Sequence, residues 1–145
     1  MSHSMLQPYL YFGGRCEEAI DFYKKALGAQ EQMLMYFRES PTPMPEGKLP
    51  AGFEDKVMHC SLKIGNNVVM MSDGIQEGMK FSGFSLSLSF ATEAETRAAY
   101  AALSEGGECC YPLMTTFWSP LYGMVTDKFG IAWMVSVYDT THQPT

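Results

Sequence analysis

Two spacings of apolar residues run along this chain, one of about two residues and one of about 3.6. Residues 6–12 (LQPYLYF) alternate as a strand does, with successive side chains on opposite faces. In the segment that follows, Cys16, Ala19, Ile20, Tyr23 and Leu27 recur at helical spacing. Glu17 and Glu18 lie in the first turn of this predicted helix, and Gly28 stands where a left-handed C-terminal residue belongs. A strand rich in Met and aromatic residues is expected over 31–39. A loop with four prolines and two glycines follows, placed over an opening or a sheet edge. Segments 56–64 and 67–73 read as a hairpin turning at Gly65-Asn66-Asn67.

The same order then returns. Residues 83–90 alternate strictly, and Thr92 and Glu95 form a capping-box pattern that opens a second helix. Strands are expected near 108–114 and 120–126, and a last one follows the turn at Lys128-Phe129-Gly130. There Trp133, Val135 and Val137 share a large apolar face, while Ala132, Met134 and Ser136 share a mixed one. The chain thus reads as βαβββ twice, a first module over 6–73 and a second over 83–138, in one domain spanning 1–145. A local match of 63–72 (KIGNNVVMMS) to 128–136 (KFGIAWMVS) supports a duplication. The predicted class is α+β, with the paired modules forming a curled mixed sheet around a concave cleft.

Each strand offers a greasy face for a helix and a half-polar face. Leu10 and Phe12 correspond to Leu86 and Leu88, and on the other side Tyr9 and Tyr11 correspond to Ser85 and Ser87. Along 31–39, Met33, Met35 and Phe37 oppose Leu34, Tyr36 and Arg38. Along 56–64, Met58, Cys60, Leu62 and Ile64 oppose His59, Ser61 and Lys63. Val69 and Met71 oppose Val68, Met70 and Ser72. If the sheet curls, the half-polar faces line one cleft, where a ligand site is expected.

Composition narrows the partners. The formal net charge is −6 and no Lys/Arg cluster occurs, which argues against nucleic acid, whose phosphates need a basic footprint. No apolar run approaches the ~20 residues of a membrane span, and the N-terminus lacks the pattern of a signal peptide. Cys16, Cys60, Cys109 and Cys110 show no C-x-x-C spacing, so reduced thiols and a cytoplasmic location are expected. Cys16, near a helix start, reads either as a reactive thiol or as a small buried residue.

The segments PYLYFGG, EEAIDFYKKALGA, VMHCSLKIGNNVVMMSDG and DKFGIAWM resemble the PhnB-like branch of the vicinal-oxygen-chelate superfamily, over about residues 6–138. That superfamily includes glyoxalases, ring-cleaving dioxygenases and bleomycin- and fosfomycin-resistance proteins. The resemblance implies paired βαβββ modules, a homodimer and the label of 3-demethylubiquinone methyltransferase-like protein. A methyltransferase would normally carry a glycine-rich turn after its first strand, where this chain has only Gly13-Gly14. In metal-dependent members, the ligands come from the first and last strands of each module. The matching places here are Tyr9 (or Pro8, counting from the helix without a gap), Met70, Ser85 and Met134. Thioethers and a lone hydroxyl suit a hard divalent ion poorly, so no metal and no cofactor are expected.

His59 is the one histidine outside the chain ends, since His3 and His142 lie in the tails. It reads either as a general base near neutral pH or as an imidazole holding a neighbouring strand. Arg38 reads as an anion clamp or a solvated strand end. Trp118 and Tyr122 read as cleft walls or as plain core. Two functions follow: a metal-independent small-molecule binder with its ligand among Tyr9, Tyr11, Tyr36, Arg38, His59, Ser61, Met70, Ser85, Ser87, Trp118, Tyr122 and Met134, or an enzyme built around His59. An RNA-binding ferredoxin-like module is opposed by the acidity.

Overall fold

The structure, a computed structural model, describes residues 4–42 and 44–138, so His3 and His142 lie outside it. Two compact units divide the chain, Met1–Lys80 and Phe81–Thr145. The first contains β1 (Tyr9–Tyr11), α1 (Cys16–Leu27), β2 (Gln30–Tyr36), β3 (Val57–Ile64) and β4 (Asn67–Ser72). The second contains β5 (Leu86–Phe90), α2 (Glu93–Ser104), β6 (Glu108–Met114), β7 (Tyr122–Thr126) and β8 (Ala132–Val137). Each unit is one βαβββ module. Its four-stranded sheet has the order β1-β4-β3-β2 or, in the second unit, β5-β8-β7-β6. The first strand of each module pairs parallel with the last, and the other pairs are antiparallel. The fold is therefore α+β with paired modules, as the two spacings imply.

Helix α1 buries Cys16, Ala19, Ile20 and Tyr23, the stripe expected of it, and ends where Gly28 takes φ 65° and donates to the Lys24 carbonyl. Helix α2 starts at Thr92, whose hydroxyl accepts the Glu95 N–H at 3.2 Å and donates to the Glu95 carboxylate at 2.9 Å. Strand β1 is shorter than the alternating segment 6–12. Pro8 has no N–H to give the ladder, though its carbonyl accepts from Met70 N–H.

Strand β2 also stops early. Phe37–Glu39 form a 3₁₀ turn closed by the Glu39 carboxylate, which accepts the Tyr36 N–H at 2.9 Å. Its faces are the reverse of the expected ones. Met33 stands opposite Ser61 and Met35 opposite His59, whereas Leu34 stands opposite the buried Cys60 and Tyr36 opposite the buried Val57. Directly opposed residues share a face, so Met33 and Met35, not Tyr36, face away from α1.

Asp73, which follows β4, is fully buried. Its Oδ1 accepts Gly14 N–H at 2.7 Å and Cys16 N–H at 2.8 Å, and its Oδ2 accepts Val57 N–H at 2.9 Å. One carboxylate thus ties the start of α1 to the start of β3. In the second unit, Asp127 accepts Phe129 and Ile131 N–H through Oδ1 and the Trp133 indole N–H through Oδ2.

Candidate functional site

On the first sheet, the face away from α1 is laid out in rows. Tyr9, Met70, Ser61 and Met33 form one row, and Tyr11 and Ser72 begin the next. His59 joins these rows through both ring nitrogens. Nδ1 lies 3.1 Å from the Tyr9 hydroxyl, and Nε2 lies 3.2 Å from the Ser61 hydroxyl. A neutral imidazole has one donor and one acceptor nitrogen, and both hydroxyls can play either part. The chain Tyr9–His59–Ser61 therefore closes in either tautomer. Burial holds the Tyr9 hydroxyl above the ordinary tyrosine range, with Tyr11 and Cys16 adding to the effect. The Tyr9 ring lies 5.1 Å from that of Tyr11.

Beyond Tyr11 the unit contains a cavity of about 390 Å³, lined by Tyr11, Phe37, Met44, Met58, Ser72, Gly74, Ile75, Gln76 and Met79. Sequence reasoning assigned Met58 to the helix side and missed most of this wall. The pairing of β2 with β3 advances from Met35–His59 to Tyr36–Val57 and leaves Met58 as the extra residue. Such a bulge breaks strict alternation, and Met58 joins the cavity with Tyr11 and Ser72. The other walls come from the proline-rich loop (Met44) and the segment after β4 (Ile75, Gln76 and Met79). The expectation of a loop over an opening was the one sequence signal that pointed there.

Two candidates leave the site. The Tyr36 hydroxyl donates to Glu17 of α1 at 3.1 Å, on the helix side of the sheet. Arg38 stands in the 3₁₀ turn, pairs with Asp55 at 2.9 Å and is half exposed, as a solvated strand end would be. Cys16 is buried, and its thiol is pushed well above the ordinary range by that burial and by Asp73, the reverse of an activated helix-start cysteine.

In the second unit, Ser87, Met134, Met124 and Tyr111 form a row, and Ser89, Ser136, Tyr122 and Met114 form the next. Ser85 precedes β5. The partner of Met134 is Ser87, just as the partner of Met70 is Tyr9, so the correspondence of Tyr9 with Ser85 shifts by two residues. Trp118 lies 5.2 Å from Tyr122, which lies 6.2 Å from Tyr111, all edge to face. Trp118 is 47% exposed and Tyr111 is 42% exposed, so these rings are not core.

Neither group implied by kinship fits these residues. The paired first- and last-strand positions supply a phenol with a thioether (Tyr9, Met70) and a hydroxyl with a thioether (Ser87, Met134). Hard divalent ions prefer carboxylate, carbonyl and water oxygens, and borderline ones such as zinc or nickel take imidazole. Among the described residues, no three His, Cys, Asp or Glu side chains gather as a metal site. For a methyl-donor nucleotide, the N–H groups at the β1–α1 turn would have to face the ligand. Here Gly14 and Cys16 give theirs to Asp73, and the sheet has no doubly wound order.

Two βαβββ modules, each a four-stranded mixed sheet with one helix, are the modules of the glyoxalase-like fold. A glyoxalase/bleomycin resistance protein from Albidiferax ferrireducens T118 has this fold at TM-score 0.59 and 15% identity, over 94% of this chain and all of that one. The chain belongs to the 3-demethylubiquinone-9 3-methyltransferase (PhnB-like) family, whose model matches residues 4–136. It is 34% identical to protein YjdN of Escherichia coli K12, over 97% of this chain and 98% of that protein. The crystal structure of PA1353 from Pseudomonas aeruginosa matches at TM-score 0.79 and 38% identity, over 92% of this chain and 98% of that one. A PhnB protein of Bacillus cereus matches at TM-score 0.75 and 23% identity, over 92% and 99%.

Proposed function

We propose that this protein is a metal-independent small-molecule binder that holds its ligand in the apolar cavity of the first module. The cavity itself carries the reading: about 390 Å³ walled by three methionines, Phe37, Ile75 and Tyr11 is within the range of ligand sites. Nile red titrated by fluorescence tests it. Met58→Glu is expected to weaken binding at least tenfold, whereas Gln32→Glu, the same charge change at an exposed site on β2, leaves it within twofold. Equal effects of the two would count against the cavity. Elemental analysis of the purified protein is expected to find no stoichiometric zinc, nickel, manganese or iron.

Two further readings attach to this one. The exposed Tyr111 and Met114 on the edge strand β6 favour a homodimer that covers that edge. A light-scattering mass near the 16.2 kDa of one chain would refute it. The chain Tyr9–His59–Ser61 favours an enzyme as the second reading, with His59 as base toward Ser61 and Tyr9 orienting the ring. Loss of p-nitrophenyl acetate turnover in both Ser61→Ala and His59→Ala, with folding intact, would support it. Unchanged turnover would remove it.

A further inference from the structure

Resting on the cavity reading above, we infer that the first module selects an uncharged aromatic molecule of one or two rings bearing a hydroxyl or carbonyl. Among the described residues, none of the nine that line the cavity carries a charge. The charged side chains next to them in sequence are engaged elsewhere or face solvent. Arg38 pairs with Asp55, the buried Asp73 carboxylate accepts three backbone N–H groups, the Lys56 ammonium donates to the Gly14 carbonyl at 3.0 Å, and Glu77 and Lys80 are exposed. A carboxylate or ammonium drawn into this cavity would lose part of its water and meet no opposite charge, which opposes binding.

The lining also speaks for a ring. Met44, Met58 and Met79 present three thioethers beside Phe37 and Tyr11. Sulfur packs favourably against aromatic edges, and unbranched side chains adjust to a flat ligand. Little of the polar lining is free for a ligand. The Ser72 hydroxyl already donates to the Val57 carbonyl and accepts from Gly74 N–H. That leaves the Gln76 amide and the Tyr11 hydroxyl, with Tyr11 also joined to the Tyr9–His59–Ser61 chain by its ring contact. The phenol and the primary amide can each donate one hydrogen bond and accept another. These two groups complement a neutral hydroxyl or carbonyl, which needs one or two hydrogen bonds and no counter-charge.

Calorimetric titration at pH 7 with 2-naphthol, 2-naphthoate and decahydro-2-naphthol separates these claims, with Nile red as the general probe. The expected result is 2-naphthol binding at least tenfold tighter than 2-naphthoate and several-fold tighter than its saturated analogue. Met58→Glu should weaken 2-naphthol binding at least tenfold and leave 2-naphthoate no tighter. Equal affinity for naphthol and naphthoate would overturn the neutrality argument, and tighter binding of the saturated alcohol would overturn the aromatic one. Both results leave the cavity reading standing. Nile red binding with none of the three naphthalene compounds bound would overturn this inference alone. No binding of any probe would sink the cavity reading and this inference together.

Discussion

Asp73 is the residue whose loss should cost most for the fewest atoms changed. It is 0% exposed and accepts three backbone N–H groups at 2.7–2.9 Å. Asp73→Ala leaves all three without their partner. At about 1–3 kcal/mol per unsatisfied buried donor, and with Gly14 only part-buried, the cost is about 3–6 kcal/mol. Asp73→Asn separates the contributions. Its carbonyl oxygen can keep Gly14 and Cys16, but its NH₂ then faces Val57 N–H, donor against donor, for about 2 kcal/mol. Urea denaturation followed by circular dichroism measures both. With a slope of about 1–3 kcal/mol/M, the Asn variant should move the midpoint down by about 1 M. The Ala variant loses a large share of a whole-domain stability of about 5–15 kcal/mol. An Asn variant within about 0.5 kcal/mol of the parent, well below the cost of one orphaned donor, would refute the reasoning. So would an Asn variant as damaged as the Ala one.

Asp127→Asn should cost a similar ~2 kcal/mol, because one amide cannot serve both the two loop N–H groups and the Trp133 indole. Gly123→Ala should lower stability by about 1–3 kcal/mol by overpacking, since its Cβ would sit 2.8 Å from Tyr100 Cε2; thermal denaturation reads this. Thiol reagents should modify Cys16 and Cys60 only after denaturation, and Cys109 and Cys110 on β6 readily in a monomer but slowly in a dimer that covers that edge. Cys109, whose thiol is lowered by Ser104 and then Tyr100, should react at lower pH than an ordinary thiol. The Cys60 thiol, pushed by burial up to about 11, is a poor nucleophile as well as a hidden one. Met134→Glu should fold, because Met134 is only half-buried beside Ser87 and Met124, whereas Val135→Glu at 0% exposure should not; circular dichroism decides.

What the sequence determined by itself was the periodic part. Element order, the buried stripe of α1, the capped start of α2 and the alternation of Trp133, Val135 and Val137 against Met134 all follow from residues close along the chain. The tertiary structure decided whatever depends on counting across strands. One extra residue, Met58, turns a predicted helix-facing side chain into a cavity wall. The register of β2 on β3 sets Met33 and Met35 beside Ser61 and His59 and Tyr36 beside the buried Val57, the reverse of the expected sides. The partner of Met134 is Ser87 rather than Ser85, a slip of two residues that keeps the face and changes only the row. A period of two makes any slip of one residue exchange faces, and the slip is set by pairing with a strand distant in sequence. Asp73 and the cavity have the same origin. Buried donors take whichever acceptor the fold brings to them, and Met44, Met58 and Met79 become neighbours only because the chain returns to one place.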